Sequence, residues 1–189
     1  MKNKNSKIVL LFALALSMVS FTTLKEKEIN VKKSDIQWTG YKVTGQHEGT
    51  INLKSGKLIF EGKTLIGGSF IIDMLSINTT DLQGDYKNKL DGHLKSDDFF
   101  SVEKHPTASL KITSANGDKG VYNVNADITI KGITKPINFT MVIENNTASA
   151  KLKIDRTKHK ITYKSPSIFE SIKDKAIYDE FDLNVNLTF

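Results

Sequence analysis

Four histidines, His47, His93, His105 and His159, are the side chains of this 189-residue sequence best suited to hold a metal or move a proton. No two stand at the i, i+4 spacing of a helix or the i, i+2 spacing of a strand that preassembles a ligand pair, so no metal site is expected. Hydrogen-bonding roles suit them better: His93 anchoring a loop or standing at a cavity mouth, and His47 acting similarly. Asp155-Arg156 reads as a buried ion pair that pins two strands. A hydrolase needs a nucleophile, a base and an orienting acid, and although Ser, His and Asp abound there is no Gly-x-Ser-x-Gly elbow. Gly67-Gly68 opens a strand-like stretch, whereas a phosphate-binding loop opens a helix. The remaining catalytic option, His93 with Asp91 or Asp97 acting on a lipid or its head group, ranks lowest, and no enzyme is expected. With no Cys there is no disulfide, thiolate nucleophile, Cys-bound zinc or lipid-modified cysteine.

The elements that must position these groups are mostly strands. Period-two alternation dominates from Gln37 onward. Tyr122, Val124, Ala126, Ile128 and Ile130 share one face, with Asn123, Asn125, Asp127, Thr129 and Lys131 on the other. Ile137, Phe139, Met141 and Ile143 repeat the pattern, as do Ala148, Ala150, Leu152 and Ile154 after the Asn145-Asn146 turn signal, and Phe181, Leu183, Val185, Leu187 and Phe189 at the end. Earlier stretches, Trp38 to Val43, His47 to Leu53, Lys57 to Glu61 and Ser69 to Ile77, read likewise, with Ser55-Gly56 and Gly67-Gly68 as turns. Between Asp81 and Phe100 the alternation stops, and Leu82, Tyr86, Leu90 and Leu94 recur as on one face of a short helix. Eight or nine strands at short spacing with one helical excursion favour an up-and-down antiparallel barrel, because closure removes exposed edges.

Met1 to Ser6 is basic and polar, and Ile8 to Val19 is an apolar run of about a dozen residues, a length that suits a cleaved export signal and is too short to span a bilayer. The expected organisation is a signal at 1–22, a lead-in at 23–34 and one domain at 35–189, in a periplasmic or secreted protein. Lys2, Lys4 and Lys7 carry three of the six net positive charges, so the folded part is only mildly basic and nucleic acid is not an expected partner.

Trp38-Thr39-Gly40 with His47 to Ile51, Gly68 to Ile77, Lys89 to Ala108, and Asp127 to Pro136 with Asp155-Arg156-Thr157 are four stretches that together resemble the YceI family of exported lipid-binding proteins. Trp38-Thr39-Gly40 with His47-Glu48-Gly49-Thr50-Ile51 is similar to the family's opening pattern, and Gly68-Ser69-Phe70-Ile71-Ile72-Asp73-Met74 with Ser76-Ile77 to its second block. Most specific is Lys89-Leu90-Asp91-Gly92-His93-Leu94-Lys95-Ser96-Asp97-Asp98-Phe99-Phe100, continuing to Lys104-His105-Pro106-Thr107-Ala108; Asp127 to Pro136 and Asp155-Arg156-Thr157 complete the set. Two departures, Lys158-His159-Lys160 where an aromatic residue and a Gly are usual and Ala126 where a Gly is common, bear on turn geometry and the shape of the mouth.

The resemblance implies an all-β fold, a single antiparallel eight-stranded lipocalin-like barrel with a short helical excursion around residues 82–98. It also implies a carrier that holds an amphiphilic lipid, of the polyisoprenoid or isoprenoid quinone type, with no covalent step and no cofactor besides that lipid. The residues expected to line the barrel are Trp38, Phe60, Phe70, Ile72 and Met74 from the first half, Tyr122, Val124, Ala126, Ile128, Phe139 and Met141 from the middle, and Leu152, Phe181, Leu183 and Val185 from the end. His93, Leu94, Phe99 and Phe100 are expected at the mouth or flap. An outer-membrane barrel is the alternative, since alternation alone does not say which face is inside, although one Trp and five Tyr are few for two aromatic girdles. Transient membrane contact and a homodimer are left open as partners.

Overall fold

The computed structural model describes residues 23–169 and 175–189; the expected signal at 1–22 lies outside them. The described chain is β1 (Leu24–Glu28), β2 (Asp35–Lys42), β3 (Gly45–Glu61), β4 (Thr64–Thr79), α1 (Gly84–Lys95), β5 (Thr107–Asp118), β6 (Val121–Ile130), β7 (Ile133–Glu144), β8 (Thr147–Asp155) and β9 (Ile177–Thr188). All pairings are antiparallel, and the order β3-β2-β9-β8-β7-β6-β5-β4 closes through a β3–β4 pairing. Eight staves therefore form a barrel. The segment expected as a lead-in carries β1, which pairs with Lys57 to Glu61 and so extends β2 along the same edge of β3.

The polarity of the wall decides between the two barrel readings. Tyr122, Val124, Ala126, Ile128 and Ile130 are buried inside, and Asn123 and Asn125 face outward. A membrane-spanning barrel carries its apolar band outside and a polar lumen. The interior here is the apolar side, so the outer-membrane alternative is not the architecture found. No α-helix of the described residues is long and apolar enough to cross a membrane.

Two expected turns are strand interior. Ser55-Gly56 lies within the 17-residue β3, where the register against β4 shifts between Leu53 and Ser55. The shift is a bulge, and it flips the phase of the strand: Leu53 points inward before it, Leu58 and Phe60 after it. Gly56 stands opposite Phe70, and a Cβ there would come within 2.7 Å of the Phe70 ring, so the glycine gives the ring its place. Gly67-Gly68 lies inside β4. The alternation in Thr107–Asp118, carried by Ala108, Leu110 and Ile112, makes a further strand, β5, absent from the sequence-based set.

Trp38 and Gly49 of the opening motif are cross-strand partners. A Cβ on Gly49 would fall 2.1 Å from the Asn78 carbonyl oxygen and 2.5 Å from the Trp38 indole, so only glycine lets the ring lie flat across β3. The indole N–H donates to the Thr50 carbonyl at 3.2 Å.

Candidate functional site

Inward alternation fills one end of the barrel and leaves the other hollow. At the filled end Leu58, Leu65 and Val124 are almost completely buried. Toward the end where α1 sits the wall retreats around a cavity of about 220 Å³. Its wall carries Ile36, Leu53, Phe70, Ile72, Met74, Leu110, Ile128, Phe139, Met141, Leu152, Phe181, Leu183 and Val185 among others, with the small side chains of Ala108 and Ala150 leaving space between them. A cavity lined in this way has no partner to offer a polar group except at its rim.

Of the residues expected to line the barrel, Trp38, Phe70, Ile72, Met74, Ile128, Phe139, Met141, Leu152, Phe181, Leu183 and Val185 stand around this cavity. Phe60, Tyr122, Val124 and Ala126 do not. They are inward and buried but lie in the part of the barrel that packs solid, Phe60 against Phe189 at 6.1 Å and Tyr122 with its hydroxyl donating to the Lys63 carbonyl. Alternation assigns a face; it carries no information about depth. Leu53, Ile77 and Leu110 are wall residues missing from the expected set. Ile77 escapes a simple phase count because β4 bulges after Met74: Leu75 turns outward, and the Ser76 hydroxyl accepts the Asn52 N–H and donates to the Asp73 carbonyl.

A cap of α1 and the turns after it covers the mouth. Leu90, Leu94, Phe99 and Phe100 reach the cavity, whereas Tyr86, on the same expected helical face, is 76% exposed. Asp91 moors the helix, accepting the Thr79 N–H at 2.8 Å and a charge-assisted bond from Lys87. Burial alone pushes the Asp91 carboxyl up, but the bonds from Lys87 and Thr79 outweigh it and hold it below its ordinary range. His93 does not line the cavity. Its ring meets the edges of Phe99 and Tyr163 at 4.9 and 4.6 Å, and its Nε2 lies 3.3 Å from Asp98, so it braces the cap.

Polar groups enter the wall on the side of the β2–β3 hairpin. Lys42 donates to His47 Nε2 at 3.1 Å, so Nδ1 carries the imidazole hydrogen and donates to Asp81 at 2.8 Å. Desolvation raises the Asp81 carboxyl; the bonds from His47 and the Glu48 N–H prevail and lower it. Lys42 and His47 both line the cavity, which gives this rim a cation with donor hydrogens to spare.

The Asp155–Arg156 ion pair expected from adjacency is not what the residues do. Asp155 caps the short 3-10 turn Arg156–His159, accepting the Thr157 N–H and hydroxyl. Arg156 turns the other way into the rim: Nε donates to the Tyr178 carbonyl at 3.0 Å, and its two terminal nitrogens to those of Ile161 and Ile177 at 2.7 Å each. Its nearest carboxylate is Asp179, at 3.7 Å.

His159, 1% exposed, donates Nδ1–H to the Ile133 carbonyl at 3.0 Å. Desolvation lowers its pKa, opposed by its bonds to the Ile133 and Ile130 backbone. The unfolded chain titrates His near 6.5 and therefore binds the proton first; stability is full above that pH and falls as the pH drops toward the lower folded value. Urea unfolding between about pH 7.5 and pH 5 is expected to show this loss in the wild type and a flatter profile in His159→Gln. An unchanged profile in the variant removes His159 as its source.

Residues 28–189 match the family model of the YceI-like domain. Protein YceI of Escherichia coli O157:H7 is 35% identical over 63 residues, a stretch that spans 33% of this chain and 32% of that protein. Burkholderia cenocepacia BcnA superposes with a TM-score of 0.67 at 16% identity, covering 85% of this chain and 99% of that one. A polyisoprenoid binding domain from Saccharophagus degradans, implicated in plant cell wall breakdown, superposes at 0.58 with 12% identity over 87% and 97% of the two chains. At these identities the structural likeness speaks for the fold.

Proposed function

The chain belongs to the YceI-like domain family, and from that premise we propose that it is a non-covalent carrier of one amphiphilic lipid, with an isoprenoid-type tail in the cavity and a polar head at the Lys42–His47 rim. The observation that carries this reading is a hollow, carbon-lined space whose one lysine–histidine pair sits at its edge. The Saccharophagus relative is described as polyisoprenoid binding, which agrees with an apolar chain as occupant. Transferring roughly 500 Å² of hydrocarbon at about 25 cal/mol/Å² is on the order of 12 kcal/mol before losses. Ordering a flexible chain and immobilising it remove a large part of that, leaving affinities of about micromolar to nanomolar. A head-group oxygen at Lys42 adds a charge-assisted bond and sets which end stays at the surface.

The reading makes the protein an exported holder of cargo in the periplasm or outside the cell, working by binding and release. Native mass spectrometry of protein purified without detergent is expected to find a co-purifying lipid that organic solvent extracts, and added isoprenoid quinone is expected to rebind the extracted protein. Finding no lipid, and no uptake of the added quinone, defeats the proposal.

A further inference from the structure

The barrel wall has one incomplete joint. From the Asn145-Asn146 turn, β7 and β8 pair over four residues each, Glu144 with Thr147 through Met141 with Ala150, and then stop. Yet β7 stays paired to β6 from Val142 to Ile133, and β8 to β9 from Thr147 to Asp155. Each strand keeps its other neighbour while the two part from one another. Beyond the split, Ile133 to Thr140 on one side and Lys151 to Asp155 on the other have no cross-strand partner in each other. At the far end the gap is spanned by the His159 side chain, bonded to the Ile133 carbonyl.

The lips of the split belong to the cavity wall: Phe139 on β7 and Leu152 on β8 line it, directly beside the last paired residues, Met141 and Ala150, which line it too. An opening here leads straight into apolar space. The strands also carry what an open edge requires. Pro136, which has no N–H to offer a ladder, lies in the unpaired part of β7, and Lys151 and Lys153 are exposed on the facing part of β8. Proline and lysine deter a foreign strand from adding to the edge, so a protein strand is a poor occupant, whereas a hydrocarbon chain needs no hydrogen bonds to pass.

Passage through the mouth is more demanding. The cap is held there by Asp91 on the Thr79 N–H of β4 and by Lys131 of the β6–β7 hairpin on the Asp97 carbonyl, with Lys87–Asp91 and Lys104–Asp97 stiffening the cap itself. Moving it breaks charged hydrogen bonds, while widening the split between the Met141–Ala150 pair and the His159–Ile133 bond breaks no β7–β8 main-chain bond. We infer that the β7–β8 split is a lateral gate through which an isoprenoid or acyl chain enters and leaves the cavity. The inference rests on the lipid-carrier reading and adds the route.

Because the chain has no cysteine, a pair can be introduced without competition. Asn138→Cys with Lys151→Cys places one thiol on each lip, to be joined by a short bismaleimide; Val142→Cys with Ser149→Cys, a registered pair in the closed part, is the control. The probe is cis-parinaric acid, a fluorescent polyene fatty acid, with uptake and release into phosphatidylcholine vesicles followed by stopped flow. Joining the lips is expected to slow uptake and release together, each by about tenfold or more, with the equilibrium affinity unchanged, and the control to do neither. Unchanged rates in a protein whose cross-link is verified by mass overturn the lateral gate and leave the carrier reading standing. Failure of the unlinked protein to bind the probe overturns both.

Discussion

Ala108→Phe combined with Ala150→Phe is expected to abolish lipid binding while leaving the barrel folded. Both alanines are buried, line the cavity and stand on different staves, β5 and β8, so their rings enter the hollow from two sides. Shutting out even four methylenes of a tail, at about 0.8 kcal/mol each, costs about 3 kcal/mol, more than a hundredfold in Kd. The added rings occupy space that the wild type leaves open, so they displace no packed neighbour, and the melting temperature is expected to hold or rise. Titration with an isoprenoid quinone checks the first expectation, and thermal unfolding followed by circular dichroism the second. Undiminished affinity in a folded double variant places the ligand outside the barrel.

Arg156→Ala is expected to give the largest loss of stability, about 3–5 kcal/mol by urea unfolding, because three backbone carbonyls lose their donor at once. The side chain is 4% exposed, so water does not readily replace it. Those carbonyls belong to Ile161 and to Ile177 and Tyr178 at the start of β9; the guanidinium stitches the segment after β8 to the beginning of the last strand. Burial draws the Arg156 pKa down and the Asp179 carboxylate opposes this, as for a cation kept in place by hydrogen bonds more than by its counter-ion. Lysine keeps the charge but not the planar fork, so Arg156→Lys is expected to fall between the two. A loss under about 1 kcal/mol for Arg156→Ala contradicts the stitching role.

The chain's own alternation determined a good deal about this protein. Period two runs through β6, β8 and β9 with the apolar residues in one phase, which is sufficient for an antiparallel, one-side-apolar sheet. The break between Asp81 and Phe100 marked the helical cap, with Leu90 and Leu94 on its inner face. The quoted motifs pointed to the family that the comparison supports. Local pattern was less reliable where the backbone bulges: Ser55-Gly56 reads as a turn because serine and glycine favour turns, yet a bulge uses the same conformational freedom inside a continuous strand.

Other features exist only once the barrel closes. Phe60 and Phe70 are both inward aromatics on neighbouring strands, and only their depth separates a packed end from a cavity wall. Arg156 finds carbonyls up to 22 positions away in the chain, a choice that adjacency to Asp155 does not foretell. Pro136 hints at an edge, but that β7 and β8 pair only from the turn to Met141 and Ala150, with His159 reaching Ile133 at the far end of the gap, is seen only in the assembled barrel. The reason is general: side-chain periodicity is local and repeats every two residues, whereas depth, cavity and seam depend on which distant strands meet and over what length. Those quantities are fixed by packing in three dimensions.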